Sequence, residues 1–282
     1  GSGTAEILRP PPAERPPVTP PGAQTSYTCA SVSDVGIVLS TRAMDRIIDI
    51  DVEARTARVE PGVLVGALKR ACAAEGLLFA PDPTSEEECT IGGAIACNAT
   101  GARSLRYGAT RAHVRGLTVA LASGERTTVR RPALEKNTVG YALAQDPVDW
   151  FVGSEGTLGV VVEAELALLA LPERVVGLGI PFAREADALA FVVAPRDARA
   201  GVGAHERRAR VALRGAANGG VEPRCLEFFG AGAFDIAREA EGSGGWAKDG
   251  AGLVYAGQEL QGDDGTSLDV WLALAESCEA LV

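Results

Sequence analysis

Apolar positions along this chain change period several times, and each change marks an element. Residues 37–40 form a short apolar run that predicts a strand. Residues 47–52 predict a second strand, with 56–59 as its hairpin partner across Glu53-Ala54-Arg55. Val65, Leu68 and Cys72 recur at helical spacing, so 65–75 reads as a helix stopped by Gly76, a residue suited to the left-handed position beyond a helix end. Residues 77–80 predict a strand, and the small-residue run 91–98 predicts a helix packed closely through Gly92 and Gly93. Residues 113–121 and 126–129 alternate around Ser123-Gly124, a hairpin pattern. Residues 150–152 and 160–169 bracket a glycine-rich stretch, 153–159.

After Leu171-Pro172 the rhythm becomes strand–helix–strand. Residues 177–182, 224–229 and 252–258 read as strands, and 185–193, 232–240 and 267–282 as helices. Residues 198–223 mix Gly, Ala and Arg with little period. The pattern predicts an α+β protein with a boundary near 172: residues 4–172 as one domain and 173–282 as a second, partial one. A last helix reaching the final residue without a stop signal predicts a chain cut inside a longer protein. At the other end, residues 9–21 hold seven of the 16 prolines, a polyproline texture, and a small polar loop follows.

Composition narrows the function classes. The chain has 282 residues, 46% hydrophobic and 23% charged, which is enough for packed cores. A net charge of −10 argues against general nucleic-acid binding. No run reaches the ~18 apolar residues of a membrane helix, and no charged-then-apolar leader opens the sequence. Two histidines, His113 and His205, leave no room for a multi-histidine metal site. The six cysteines include no CxxC pair and fit scattered free thiols, hence a cytoplasmic protein.

Three glycine-rich segments carry the candidate chemistry: 20–28, 81–108 and 153–159. Each offers peptide N–H groups unshielded by side chains, the kind of surface that accepts a pyrophosphate. No GxGxxG joins a strand to a helix with an acid about 20 residues on, and no GxxxxGK[ST] loop is present. Gly153-Ser154-Glu155-Gly156 has the wrong spacing for a nucleophile elbow.

Taken in order, PDPTS, TIGGAIACNATGARSLRYG and TRAHVRG (81–116), KNTVGYAL (136–143) and FVGSEGTLGVVVEAEL (151–166) resemble the PCMH-type FAD-binding domain, in the glycolate oxidase and D-lactate dehydrogenase branch of the vanillyl-alcohol-oxidase superfamily. VLSTRAMDRIIDID (38–51) and VEPGVLVGAL (59–68) resemble it too. The resemblance implies a two-subdomain α+β domain holding noncovalent FAD, followed by a partial cap domain. It implies a pyrophosphate loop at Pro21, Gly22, Ala23, Gln24, Thr25, Ser26 and Tyr27. It places Pro81, Gly92, Gly93, Asn98, Ser104 and Gly108 along the cofactor path, and Thr110 and His113 in the flavin-contacting stretch. Glu155, Gly156 and Val161 fall on the adenosine side. The implied activity is oxidation of a small 2-hydroxy acid by hydride transfer to flavin, with an iron–sulfur module or subunit as a possible electron acceptor. No catalytic residue is carried over, because residues 174–282 hold no clear motif for the Arg that binds the substrate carboxylate in this family or for the His that binds a metal in some members.

The sequence also departs from the family. The loop reads PPGAQTSYTCASV where the family reads close to PRGAGTSYTGGAV. Pro21 replaces an arginine, and Gln24, Cys29 and Ser31 or its neighbour replace glycines, at a cost wherever φ is positive. The helix expected before the loop is missing. These departures motivate an alternative, a catalytically silent relative serving as a structural or regulatory subunit.

Overall fold

A computed structural model describes residues 16–132, 146–200, 222–241, 250–260 and 265–281. Its elements fall into two units, Gly1–Leu171 and Pro172–Val282. The KNTVGYAL segment and most of 198–223 lie outside the described residues.

In the first unit, β1 (Val18–Thr19) pairs in parallel with β2 (Ile37–Val38). The polyproline texture therefore gives way to a strand, and the loop 20–36 is held at both ends. Close approach makes glycine obligatory at 36: its φ is +81°, and a Cβ there would lie 2.2 Å from the Pro17 carbonyl oxygen. β3 (Ile47–Asp51) and β4 (Thr56–Val59) form the expected hairpin. Helix α1 (Val65–Ala74) buries Val65, Gly66, Leu68 and Cys72, and the chain leaves it through Gly76 at φ +71°. There follow β5 (Leu77–Leu78), α2 (Ile91–Ala96), α3 (Ser104–Tyr107), a 3-10 turn at Thr110–His113, β6 (Val114–Ala120), β7 (Arg126–Arg130), α4 (Pro147–Phe151), β8 (Val160–Ala167) and β9 (Leu169–Ala170). The strands predicted at 37–40 and 77–80 are each only two residues long, because each finds one short partner and no sheet to extend into.

Five of these strands make an antiparallel sheet in the order β3-β4-β8-β6-β7. Along β8 every second residue is buried, the period-two pattern of a sheet with one covered face. Ala57, Val59, Leu117, Val119, Ala164 and Leu166 belong to one apolar core with Leu68 and Cys72 of α1 and Ile91, Ala94 and Ile95 of α2. Burying one such aliphatic side chain is worth about 1.5–3 kcal/mol. The uncovered face carries ion pairs, Arg58–Glu163 and Arg130–Glu165.

The second unit contains β10 (Arg174–Phe182), α5 (Glu185–Ala200), β11 (Pro223–Gly230), α6 (Ala231–Glu241), β12 (Gly252–Leu260) and α7 (Gly265–Ser277). Its antiparallel sheet has the order β10-β12-β11. Phe182, Phe191 and Trp271 stack with ring centroids 5.4 and 5.9 Å apart, and Trp271 Nε1 donates to Gln258 Oε1 at 3.2 Å. Two expectations need correction. The helix starting at 185 runs past 193, since Phe191 and Ala194 are buried in this core and carry it through Ala200 despite Pro195. The last helix does not reach residue 282. It ends at Ser277, Glu279 takes φ +59°, Ala280 bridges to Phe182, and Leu281 N–H donates to the Pro181 carbonyl at 2.8 Å. No described helix is long and apolar enough to cross a membrane.

Candidate cofactor cleft

The candidate site is built where loop 20–31, α2 and loop 153–159 meet. Glycine at two positions lets them approach, and a third, Gly92, seats α2 against Pro61. A Cβ on Gly22 would sit 2.5 Å from Thr90 Oγ1, one on Gly92 2.7 Å from Pro61 Cβ, and one on Gly156 2.9 Å from Pro20 Cγ. Thr90 starts α2 as its N-cap, its hydroxyl accepting the Gly93 N–H at 3.2 Å. Loop 153–159 is tied to the far end of the same helix, Gly153 N–H to Ile95 O and Glu155 N–H to Ala96 O, each at 3.0 Å.

These segments enclose an open cleft of about 690 Å³. Through Pro20, Gly22, Gly93 and Ala96 it continues into a narrow neck of about 50 Å³. The neck shares Pro20, Gly156, Gly159 and Val160 with a further groove of about 310 Å³. The result is an elongated path, a shape suited to a ligand longer than it is wide.

Of the residues expected on a cofactor path, Gly22, Ala23, Gln24, Thr25, Ser26, Tyr27, Gly93 and Glu155 line the main cleft. Gly92, Gly156 and Val161 line the neck. The others lie off this lining. Pro21 is buried and its carbonyl accepts from Thr41 N–H and Oγ1. Pro81 is buried; its neighbour Asp82 accepts the Arg103 N–H at 3.1 Å and braces the following loop. Burial pushes the Asp82 carboxyl up, partly countered by Arg103. Ser104 Oγ accepts the Gly101 N–H, and Gly108 supplies a φ of +80° after α3. Thr110 Oγ1 donates to Ala99 O at 2.8 Å. Asn98 Oδ1 accepts the Arg111 N–H at 2.9 Å.

His113 is packed in the interior, 5% exposed, edge-on to Phe79. Its Nε2 lies 3.0 Å from the Tyr107 carbonyl oxygen, so that nitrogen carries the hydrogen. Burial holds its pKa below the ordinary value, leaving it neutral at pH 7.

The cleft also uses residues that the sequence reading did not single out: Thr84, Ser85, Thr90, Cys97 and Thr100. Thr90 was findable, since a threonine just before a helical run is a capping signal. Cys97 was not, because a small residue near a helix end reads as packing. Burial, aided by the Glu155 carboxylate, pushes its thiol up.

The lining fits a dinucleotide. Among the described residues the amides of Ala23, Gln24, Thr25 and Ser26 donate to no protein acceptor, and a run of free peptide N–H groups suits an anionic linkage. The hydroxyls of Thr25, Ser26, Thr28, Thr84 and Thr100 add neutral donors. Glu155 offers a carboxylate to hydroxyl or amine groups.

The family profile "FAD binding domain" matches residues 4–130. Residues 4–130 carry an FAD-binding domain of the PCMH type. FAD is the cofactor of this domain type. Among curated relatives, D-lactate dehydrogenase of Anaerostipes hadrus is 37% identical over 177 residues, 62% of this chain and 36% of the relative. Glycolate oxidase subunit GlcD of Bacillus subtilis is 43% identical over 164 residues, 56% of this chain and 33% of the relative. D-2-hydroxyglutarate dehydrogenase of Xanthomonas citri pv. viticola is 39% identical over 167 residues, 58% and 34% respectively. The chain thus matches about a third of these relatives' length. A solved structure of alkyldihydroxyacetonephosphate synthase shares the fold, with a TM-score of 0.69 at 18% identity, over 94% of this chain and 49% of that one. The FAD domain is an α+β arrangement, similar in sequence to the corresponding part of these dehydrogenases and oxidases.

Proposed function

We propose that this chain is the cofactor-binding part of an FAD-linked oxidoreductase that oxidises a small 2-hydroxy acid of the D-lactate or glycolate type. The observation that carries the reading is the elongated path from the main cleft through the neck, lined by Gly22, Gly93, Glu155 and Gly156. Loop 22–28 and the Thr84, Thr90 and Thr100 hydroxyls would hold the cofactor noncovalently, and Glu155 would receive its sugar hydroxyls or base. When bound, FAD supplies the acceptor for the substrate's hydride. The chain's own residues orient it and exclude water from its walls. The names of the relatives supply the substrate class, and the GlcD relatives suggest a partner subunit that passes electrons on.

Flavin titration of the purified chain tests the cofactor part, read by visible absorbance and by quenching of flavin fluorescence. Saturable binding is expected, and a colourless protein that takes up no added FAD overturns it. Turnover of D-lactate and glycolate by the full-length gene product, with an artificial electron acceptor, tests the substrate part. Turnover of neither acid discards that class.

One observation favours a second reading, a catalytically silent relative. Gln24 and Cys29, which stand where the family has glycine, have φ of +59° and +56°. Ser31 does not share this conformation. A loop that holds two non-glycine residues in the left-handed region, one of them on the cleft lining, is strained. FAD binding without turnover in the full-length protein would select this reading.

A further inference from the structure

We propose that Arg111 is a positioning residue for the cofactor cleft, a clasp that holds loop 153–159 against α2 without lining the cleft itself. The inference rests on the reading of this cleft as the FAD site. Arg111 binds both parts. Its backbone N–H donates to Asn98 Oδ1 at 2.9 Å, just beyond α2. Its guanidinium spans the end of α4: Nη1 donates to Asp149 O at 2.7 Å and Asp149 Oδ1 at 3.0 Å, and Nη2 donates to Val152 O.

Val152 leads directly into Gly153-Ser154-Glu155, in which the Gly153 amide donates to Ile95 O and the Glu155 amide to Ala96 O. The fit around the clasp is close. Gly153 has φ +83°, and a Cβ there would lie 3.3 Å from Arg111 Nη2 and 3.5 Å from Asn98 Cβ. Arg131 braces the arrangement from the other side, donating from Nη2 to Asp149 Oδ1 at 2.6 Å and to Arg111 O at 3.2 Å, and from Nη1 to Asp146 Oδ2 at 2.9 Å.

A planar fork is what this position demands. Two carbonyls three residues apart are met by two nitrogens of one rigid group, and a lysine ammonium on a flexible stem cannot hold both in a fixed geometry. Asn98 takes on a new role here. It adopts φ +47° and offers its side-chain oxygen to Arg111, so its amide group serves the walls of the cleft.

Arg111→Lys tests the clasp, with Arg58→Lys on the exposed sheet face as the control. Three quantities are compared: FAD affinity, thermal unfolding of the apoprotein, and hydrogen exchange of the Gly153 and Glu155 amides. Arg111→Lys should weaken FAD binding about tenfold, the scale of a charged hydrogen bond. It should speed exchange of those two amides while apoprotein melting stays close to that of the parent. Arg58→Lys should change none of the three. Unchanged exchange at Gly153 and Glu155 in Arg111→Lys overturns the clasp, as does a lowered melting temperature with unchanged FAD affinity and exchange. Should Arg111→Lys not fold, Asp149→Asn weakens the same ties, and faster exchange at the same two amides is expected; no change there also overturns it. Should the parent bind no FAD, the cofactor reading fails, and the exchange comparison still decides the clasp.

Discussion

Strain is local and can be tested one residue at a time. Gln24 and Cys29 both sit in the left-handed region, which costs an L-residue roughly 1–2 kcal/mol relative to glycine. Their compensation differs. Gln24 Nε2 donates to Ser31 O at 3.0 Å, whereas Cys29 Sγ has only a 3.9 Å approach to Tyr27 O. Cys29→Gly should therefore raise unfolding free energy by about 0.5–1 kcal/mol, part of the strain relief being offset by the greater freedom of glycine in the unfolded chain. Gln24→Gly should be close to neutral. Urea denaturation of the two variants decides between them; equal effects would show that the Gln24 side-chain bond contributes nothing. The positions were legible in the sequence as lost glycines, but their φ values were not.

Thiol reactivity belongs to the same scale. Cys72 is fully buried and its pKa is pushed up to about 11, so it should resist alkylation at neutral pH. Cys29 and Cys97 are exposed, but only Cys97 lines the cleft. Iodoacetamide should modify Cys29 faster than Cys97, and saturating FAD should protect Cys97 alone. Mass spectrometry of the two peptides reads this directly. Equal protection of both would mean that the ligand reaches beyond the lining described above.

At the scale of elements, the contact between loop 20–31 and α2 is set by one glycine and one threonine. Gly22 does not have a positive φ, so its cost of substitution is purely steric: a Cβ would lie 2.5 Å from Thr90 Oγ1. Gly22→Ala should destabilise by about 1–3 kcal/mol, the range for overpacking. Thr90→Ala alone should cost about 1 kcal/mol through loss of the N-cap. Because the second change removes the atom that the first strikes, the double variant should be more stable than the sum of the two predicts. Strict additivity in chemical denaturation would place the clash elsewhere.

This scale also shows why some elements were readable. The hairpin around residues 53–55 and helix α1 are local, and their patterns sufficed. The β1–β2 pair joins positions 19 residues apart in sequence and starts inside a proline-rich stretch, so no local pattern announced it. Helix α4 is only five residues long, too short for a period, although Asp146 caps it through Val148 N–H and Pro147 occupies its first turn.

At the scale of the whole molecule, pH couples one buried histidine to the stability of the FAD domain. The family resemblance puts His113 in the flavin-contacting stretch, and the structure places its side chain in the interior. His113 closes the 3-10 turn Thr110–His113, and its imidazole hydrogen bond goes to Tyr107 O. Burial lowers its folded-state pKa below the ordinary 6.5. In the unfolded chain it titrates near the ordinary value, so between the two pKa values the unfolded state binds more protons. Stability then rises with pH across that window, and it is lost as pH falls from 6.5 toward the folded value. Asp149 adds a separate acid-side loss. Its carboxyl is held below the ordinary 3.8, chiefly by the hydrogen bond from Arg131, so its stabilisation is complete above about 3.8 and disappears only at lower pH. The Asp149 window lies below that of the histidine, whereas Asp82, whose carboxyl burial pushes up, gains stability as pH falls; the difference in slope between parent and variant therefore reports on His113. Urea midpoints measured from pH 7 down to 5 should fall for the parent chain. His113→Gln keeps a donor near Tyr107 O and cannot titrate; it should be less stable at pH 7 but show a flatter slope over the same range. An identical slope in both would move the titrating group away from His113, and with it the claim that this histidine is structural.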